Sequence, residues 1–250
     1  MATTTIPAQM ENPFVDTQGD VDSVLEPAKV GFKRYSLYYT TSRLDARLHL
    51  GSSTSPASYY FESKMALSSP QLFLRRGADA TAPVVNFARL QSTSRHILLG
   101  AGSYTKQAAE VGRVAWEELR REKNLMHRSD YHFSTGVADD DNNNNNSNNN
   151  NNGKKTAFCW RKNKDRILRT VYECVDENGN SVARLFSGGA FNWRKGGEID
   201  TAEGLSRALE EYLIMSALAV WVMEAFDYQS LLNGYSDSNK KGYDGSKKKD

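Results

Sequence analysis

Five cations crowd one short stretch of this chain: Arg161, Lys162, Lys164, Arg166 and Arg169. Cations gathered on a hairpin can contact several phosphates, or an anionic lipid headgroup, at the same time. The stretch from Lys154 to Arg169 holds seven basic residues and one Asp. The same composition also describes an ordinary solvated hairpin tip. A net charge of +2 over 250 residues gives no global attraction to phosphate polymers or anionic membranes. Any electrostatic role must therefore be local.

Other chemistry is sparse. The histidines at 49, 96, 127 and 132 are scattered, and Cys159 and Cys174 form no C-x-x-C unit, so no metal site and no cofactor is expected. Asp130 and His132 fall on one strand face, where an exposed pair is the ordinary outcome. No G-x-S-x-G elbow is present, and the paired glycines at 188–189 and 196–197 are followed by no phosphate-binding arrangement. The chain is therefore expected not to be an enzyme. Trp160, beside Phe158, suits a core better than a base-stacking platform, and nucleic-acid binding is not expected. Asn12-Pro13-Phe14, in an acidic arm, looks like the short peptide that endocytic EH domains recognise, which makes a peptide-recognition partner a second candidate.

The elements that would position these residues are mostly strands. Short runs rich in Tyr, Phe, Leu and Val recur every 8–12 residues or so: Arg34–Thr40, Ala46–Leu50, Tyr59–Met65, Gln71–Arg76, Val84–Leu90 and His96–Leu99. The segment Lys106–Asn124 has the Ala, Glu and Arg content of a helix. Tyr131–Ser134 and Thr156–Arg161 read as one hairpin, interrupted by an Asn-rich loop insertion at 139–153 with no apolar group to bury. With a connection over Arg161–Ile167, Cys159 should lie opposite a residue near Arg169, far from Cys174, leaving both thiols free. Ile167–Val175 and Ser181–Ser187 flank Asn178-Gly179, a strong hairpin signal. A two-residue turn there sets Val175 opposite Val182, Glu173 opposite Arg184 and Val171 opposite Phe186, with Tyr172, Cys174, Ala183 and Leu185 on the other face. Asp200 and Glu203 have the spacing of a helix N-terminal cap, predicting a helix over Leu205–Leu232 stopped by Gly234. From Tyr212 to Met223 that helix has no polar face and should be buried on every side.

Composition bounds the rest. Two cysteines are too few for a disulfide scaffold, and the first residues lack both an apolar run and a basic start. The expected location is intracellular, cytoplasmic or nuclear. The apolar run of about 12 residues is shorter than the roughly 20 that cross a bilayer, so no transmembrane segment is expected. Residues 1–30 carry Glu11, Asp16, Asp20, Asp22 and Glu26 against Lys29 alone and read as a disordered acidic arm, and 235–250 as a disordered Lys-rich tail.

Taken in order, several stretches resemble the tubby C-terminal-like superfamily, which includes the phospholipid scramblases, and especially its uncharacterised fungal members. They are Val114-Ala115-Trp116-Glu117, Tyr131-His132-Phe133, Phe158-Cys159-Trp160-Arg161-Lys162, the hairpin Tyr172–Phe186, Gly196-Gly197-Glu198-Ile199 and the helix Glu210–Phe226. The resemblance implies a mainly β domain over 31–234, a closed antiparallel barrel of about twelve strands with a buried apolar C-terminal helix. It also implies that Val114–Glu117 is strand, against its propensity. Tubby-type domains bind phosphoinositides through basic residues. The expected function is a non-catalytic binding or scaffold domain, with a peripheral phosphoinositide-binding module using the basic hairpin as the alternative.

Overall fold

The computed structural model describes residues 31–40, 45–64, 71–91, 94, 96–105, 114–122, 130–137, 155–163, 171–187 and 195–225. They form twelve strands and one helix. The strands are β1 (Phe32–Tyr39), β2 (Ala46–Leu50), β3 (Ala57–Ser63), β4 (Leu72–Arg76), β5 (Val84–Leu90), β6 (Ile97–Ala101), β7 (Trp116–Arg121), β8 (Tyr131–Thr135), β9 (Thr156–Asn163), β10 (Val171–Asp176), β11 (Ser181–Ser187) and β12 (Lys195–Ala202). The helix is α1 (Arg207–Ala225). Each strand pairs antiparallel with its neighbours in the chain, and β12 closes the barrel on β1. An even number of strands is what lets such a meander close antiparallel and leave no edge.

Alternation along each strand sends one set of side chains inward. Leu48, Leu72, Leu74, Ile97, Trp160 and Cys174 are among those with no or almost no exposure. Barrel diameter grows with strand number, and side chains alone fill an interior of about eight strands. Here α1 fills the larger space. Every residue from Leu209 to Met223 is buried, and side chains of α1 touch β1, β3, β8 and β9 through Tyr39–Trp221, Tyr59–Glu211, Phe133–Tyr212 and Trp160–Ser216. An all-round apolar helix thus finds apolar wall in every direction, as its composition requires.

The structure corrects the start of the helix. Asp200 is not a cap; it lies in β12, where Arg34 of β1 donates to both carboxylate oxygens at 2.8 Å. Ser206 caps instead: its Oγ accepts from the Leu209 N–H at 3.2 Å, while its carbonyl accepts from Glu210 at 2.9 Å. Residues 226–232 and Gly234 lie outside the described residues. The Val114–Glu117 question resolves for Trp116 onward, which is strand β7, so propensity yields to pairing with β6.

Two registers also differ in detail. In the β10–β11 hairpin, Glu173 faces Arg184 and Val171 faces Phe186 as the turn chemistry predicts, but Val175 faces Ser181 rather than Val182. The turn is one residue longer than expected. Asp176 and Asn180 form the closing pair, and Gly179 adopts a φ of +83°, the left-handed conformation that a three-residue hairpin loop needs. On β9, Cys159 faces Val175, not a residue near 169, because β9 runs on to Asn163 before the chain returns at Val171. The thiols are free nonetheless: Trp160, next to Cys159, is Cys174's partner, so the two cysteines point to opposite faces of the wall.

Candidate functional site

The described part of the basic cluster does not form one cationic surface. Trp160 points into the barrel, so Arg161 points out and Lys162 points in, its Nζ lying 5.8 Å from the centre of the Tyr172 ring. Lys164, Arg166 and Arg169 lie outside the described residues, as do Asn12, Pro13 and Phe14. Arg161 is also not alone. Registers place it opposite Glu173, Glu173 opposite Arg184, Arg184 opposite Asp200 and Asp200 opposite Arg34. Extending the β8–β9 register puts Asp130 on the other side of Arg161, and the Lys162 N–H donates to Asp130 at 3.4 Å. The outer wall therefore carries an alternating row of acids and bases across six strands. Glu173–Arg184 at 3.2 Å and Asp200–Arg34 at 2.8 Å are its tightest ion pairs. Only the Glu173–Arg184 step was legible in the sequence; the others join residues far apart in the chain.

The ends of α1 are wired to the wall by acids. Glu210 accepts from Lys33 at 3.0 Å, the Tyr35 hydroxyl at 3.0 Å and the Thr201 hydroxyl at 2.8 Å. Glu211 accepts a two-pronged pair from Arg76, both arms at 2.7 Å, and a bond from Tyr59 at 3.3 Å. Both carboxylates are more than nine-tenths buried, so without these donors each would cost several kcal/mol. At the far end, Glu224 accepts from Tyr131 at 2.7 Å. These groups are consumed in holding the helix.

Polar and aromatic groups open to the surface converge on the outer wall around β7 and β8. The ladder between these strands consists of Arg120↔His132 and Arg121↔Tyr131, and it stops before Glu118 would reach Ser134. Two recesses of about 480 Å3 each lie there and share Glu118, Arg120 and His132. One is lined both by outward residues such as Trp116 and His132 and by inward ones, Phe133, Phe158 and Glu117. Glu117 accepts from the Tyr212 hydroxyl of α1 at 2.6 Å and pairs with exposed Lys155 at 3.3 Å, a polar chain from surface to helix. Burial, and then the bond to Glu117, pushes the Tyr212 hydroxyl far above its usual range.

Trp116 links this cleft to an aromatic cluster outside the barrel. Its ring meets Phe87 edge-on at 5.1 Å, Phe87 meets Tyr104 at 5.1 Å, and Tyr104 meets Phe73 at 6.0 Å. Phe87 faces outward, since neighbouring Ala88 is fully buried inside, yet it is only 1% exposed. Its ring lies on Gly100 of β6, where a Cβ would sit 2.3 Å from the Phe87 edge. No sequence period reports this cluster, because its aromatics come singly from three strands and the connection after β6.

One constellation at the edge of the cleft, centred on His132, has the residue types of a nucleophile and its base. His132 Nε2 lies 3.9 Å from the Cys159 sulfur and 3.7 Å from Glu122 Oε2. A relay would need the acid on one ring nitrogen and the thiol on the other, whereas here both face Nε2. Burial raises the Cys159 thiol and so disfavours the thiolate, against the opposing pull of Arg161. Among the described residues, no group of three His, Cys, Asp or Glu side chains is placed to hold a metal, and no helix is long and apolar enough to cross a membrane. No family model, curated protein or solved structure matches the chain.

Proposed function

We propose that this protein is a non-catalytic binding or scaffold domain that meets its ligand on the outer wall around β7 and β8. The observation that carries it is the occupied interior: α1 fills the barrel and its acids are spent on the wall, while Trp116, Glu118, Arg120 and His132 remain at an open cleft. Aromatic and Arg side chains are the types that dominate binding energy at protein interfaces. The Cys159–His132–Glu122 geometry supports a role without covalent chemistry. A twelve-strand barrel around a helix is compatible with kinship to the tubby C-terminal-like superfamily, and an intracellular fungal member of that group is the finer form of the proposal.

The alternative, a peripheral phosphoinositide module, has weaker support, because Arg161 stands between two carboxylates and Lys162 faces inward. Two experiments separate them. Random peptides displayed on phage should be selected by the full chain and lose binding to Trp116→Ala and His132→Ala. Co-sedimentation with phosphatidylcholine vesicles should be unchanged when a phosphoinositide is added. Binding that requires the phosphoinositide and disappears in Arg161→Ala/Lys162→Ala would favour the membrane reading instead.

A further inference from the structure

We propose that Asn178 is a self-modification site, converted to aspartate and isoaspartate through attack by the Gly179 nitrogen when the β10–β11 turn opens, and that the folded turn restrains the reaction. Asn178 and Gly179 are both exposed at the tip of this hairpin, and apart from Gly179 and its two chain neighbours no atom lies within 4 Å of where a Gly179 side chain would project. The nucleophile and the carboxamide are therefore adjacent in the chain with open space and water around them.

The reaction needs only water. Gly179 N gives up its proton and bonds to the Asn178 side-chain carbonyl carbon; the carboxamide nitrogen leaves as ammonia, and a five-membered imide remains. Water then opens the imide. Attack at the former side-chain carbonyl yields aspartate, and attack at the backbone carbonyl yields isoaspartate, which routes the main chain through an extra methylene.

The folded turn ties down the attacking nitrogen and the backbone on both sides of it. The Gly179 N–H donates to the Asp176 carbonyl at 3.0 Å, so the attacking nitrogen is turned away and its proton is held. The Asn178 N–H donates to Asp176 Oδ1 at 2.9 Å, the Asn180 N–H to the same oxygen at 2.8 Å and Asn180 Nδ2 to Oδ2 at 3.0 Å. Although burial pulls the other way, these bonds hold the Asp176 carboxyl below its usual range and leave it a poor base. Reaction therefore requires local opening, and its rate should scale with the open population. Once formed, isoaspartate lengthens the one turn that sets the Glu173–Arg184 and Val171–Phe186 register.

The test is peptide mapping of the full chain, incubated at one mildly alkaline pH folded and in urea, with isoaspartate read by mass and retention. Mapping separates Asn178 from the Asn-Gly pairs at 152–153 and 233–234. Asn178 should convert at least about tenfold more slowly in the folded chain than in urea. Asp176→Ala, folded by circular dichroism, should bring the folded-state rate toward the urea rate. Equal rates for wild type in the two states would overturn the restraint, and a folded Asp176→Ala with the wild-type rate would overturn the share assigned to the Asp176 carboxylate, since the backbone carbonyl that holds the Gly179 N–H is kept in that variant. An Asn178 that stays intact in urea while the other two pairs convert would overturn the site itself.

Discussion

Ser216→Ala tests whether the helix sits in the barrel at the rotation described here. The indole N–H of fully buried Trp160 donates to Ser216 Oγ at 3.0 Å, and Ser216 in turn donates to the Leu213 carbonyl at 2.8 Å. Removing the hydroxyl leaves a buried donor without an acceptor, which costs about 1–3 kcal/mol. Ala is the better helix former, by up to about 0.5 kcal/mol, and the Ser216 bond to its own helix contributes little. The net loss should be about 0.5–2.5 kcal/mol, or about 2–4 °C of Tm per kcal/mol for a domain of this size. In a Trp160→Phe background no indole N–H remains, so the same Ser216→Ala change should cost nothing or stabilise slightly. A double-mutant cycle by urea unfolding, followed by far-ultraviolet circular dichroism, should return a coupling of about 1–3 kcal/mol. Equal costs in the two backgrounds would refute the contact and with it the placement of α1.

Three further outcomes follow from the same structure. Leu218→Asp puts a carboxylate where exposure is zero and apolar wall surrounds it, so the variant should lack the native circular dichroism spectrum; an unchanged Tm would place the helix outside the core. Thiol titration of the denatured, unreduced chain should find two free thiols, whereas a disulfide would contradict the opposite-face placement of Cys159 and Cys174. Burial, then the charges of Glu211 and Glu210, pushes Tyr59 up to about 12, and Tyr35, Tyr172 and Tyr212 rise further, each chiefly through burial. A raised folded-state pKa stabilises fully below the unfolded value near 10 and is lost as pH climbs through the folded value, so stability should fall from about pH 10 upward. Tyrosinate absorbance should then appear together with loss of circular dichroism; early, independent titration of these four residues would show that they are open to solvent.

What the sequence determined by itself is local. Period-two runs of Tyr, Phe, Leu and Val marked most strands, and ten residues around Asn178-Gly179 carried enough turn chemistry to pair Glu173 with Arg184. The unbroken apolar run from Tyr212 announced a helix that needs wall on all sides, and the structure supplies it. What only the tertiary structure decided involves partners distant in the chain. Asp200 reads as a cap until Arg34, 166 residues away, claims both its oxygens, and the true cap falls to Ser206. Arg161 reads as a free cation until its neighbours across the wall prove to be Glu173 and, by extension of register, Asp130. No pattern in the sequence pairs Glu210 and Glu211 with Lys33, Tyr35, Tyr59 and Arg76, which donate to them in the fold. Trp116, Phe133, His132 and Lys155 share a cleft because strands from separate stretches meet there. A side chain's charge and shape are written in its type, but in a closed barrel its environment is set by register with strands that no local pattern names.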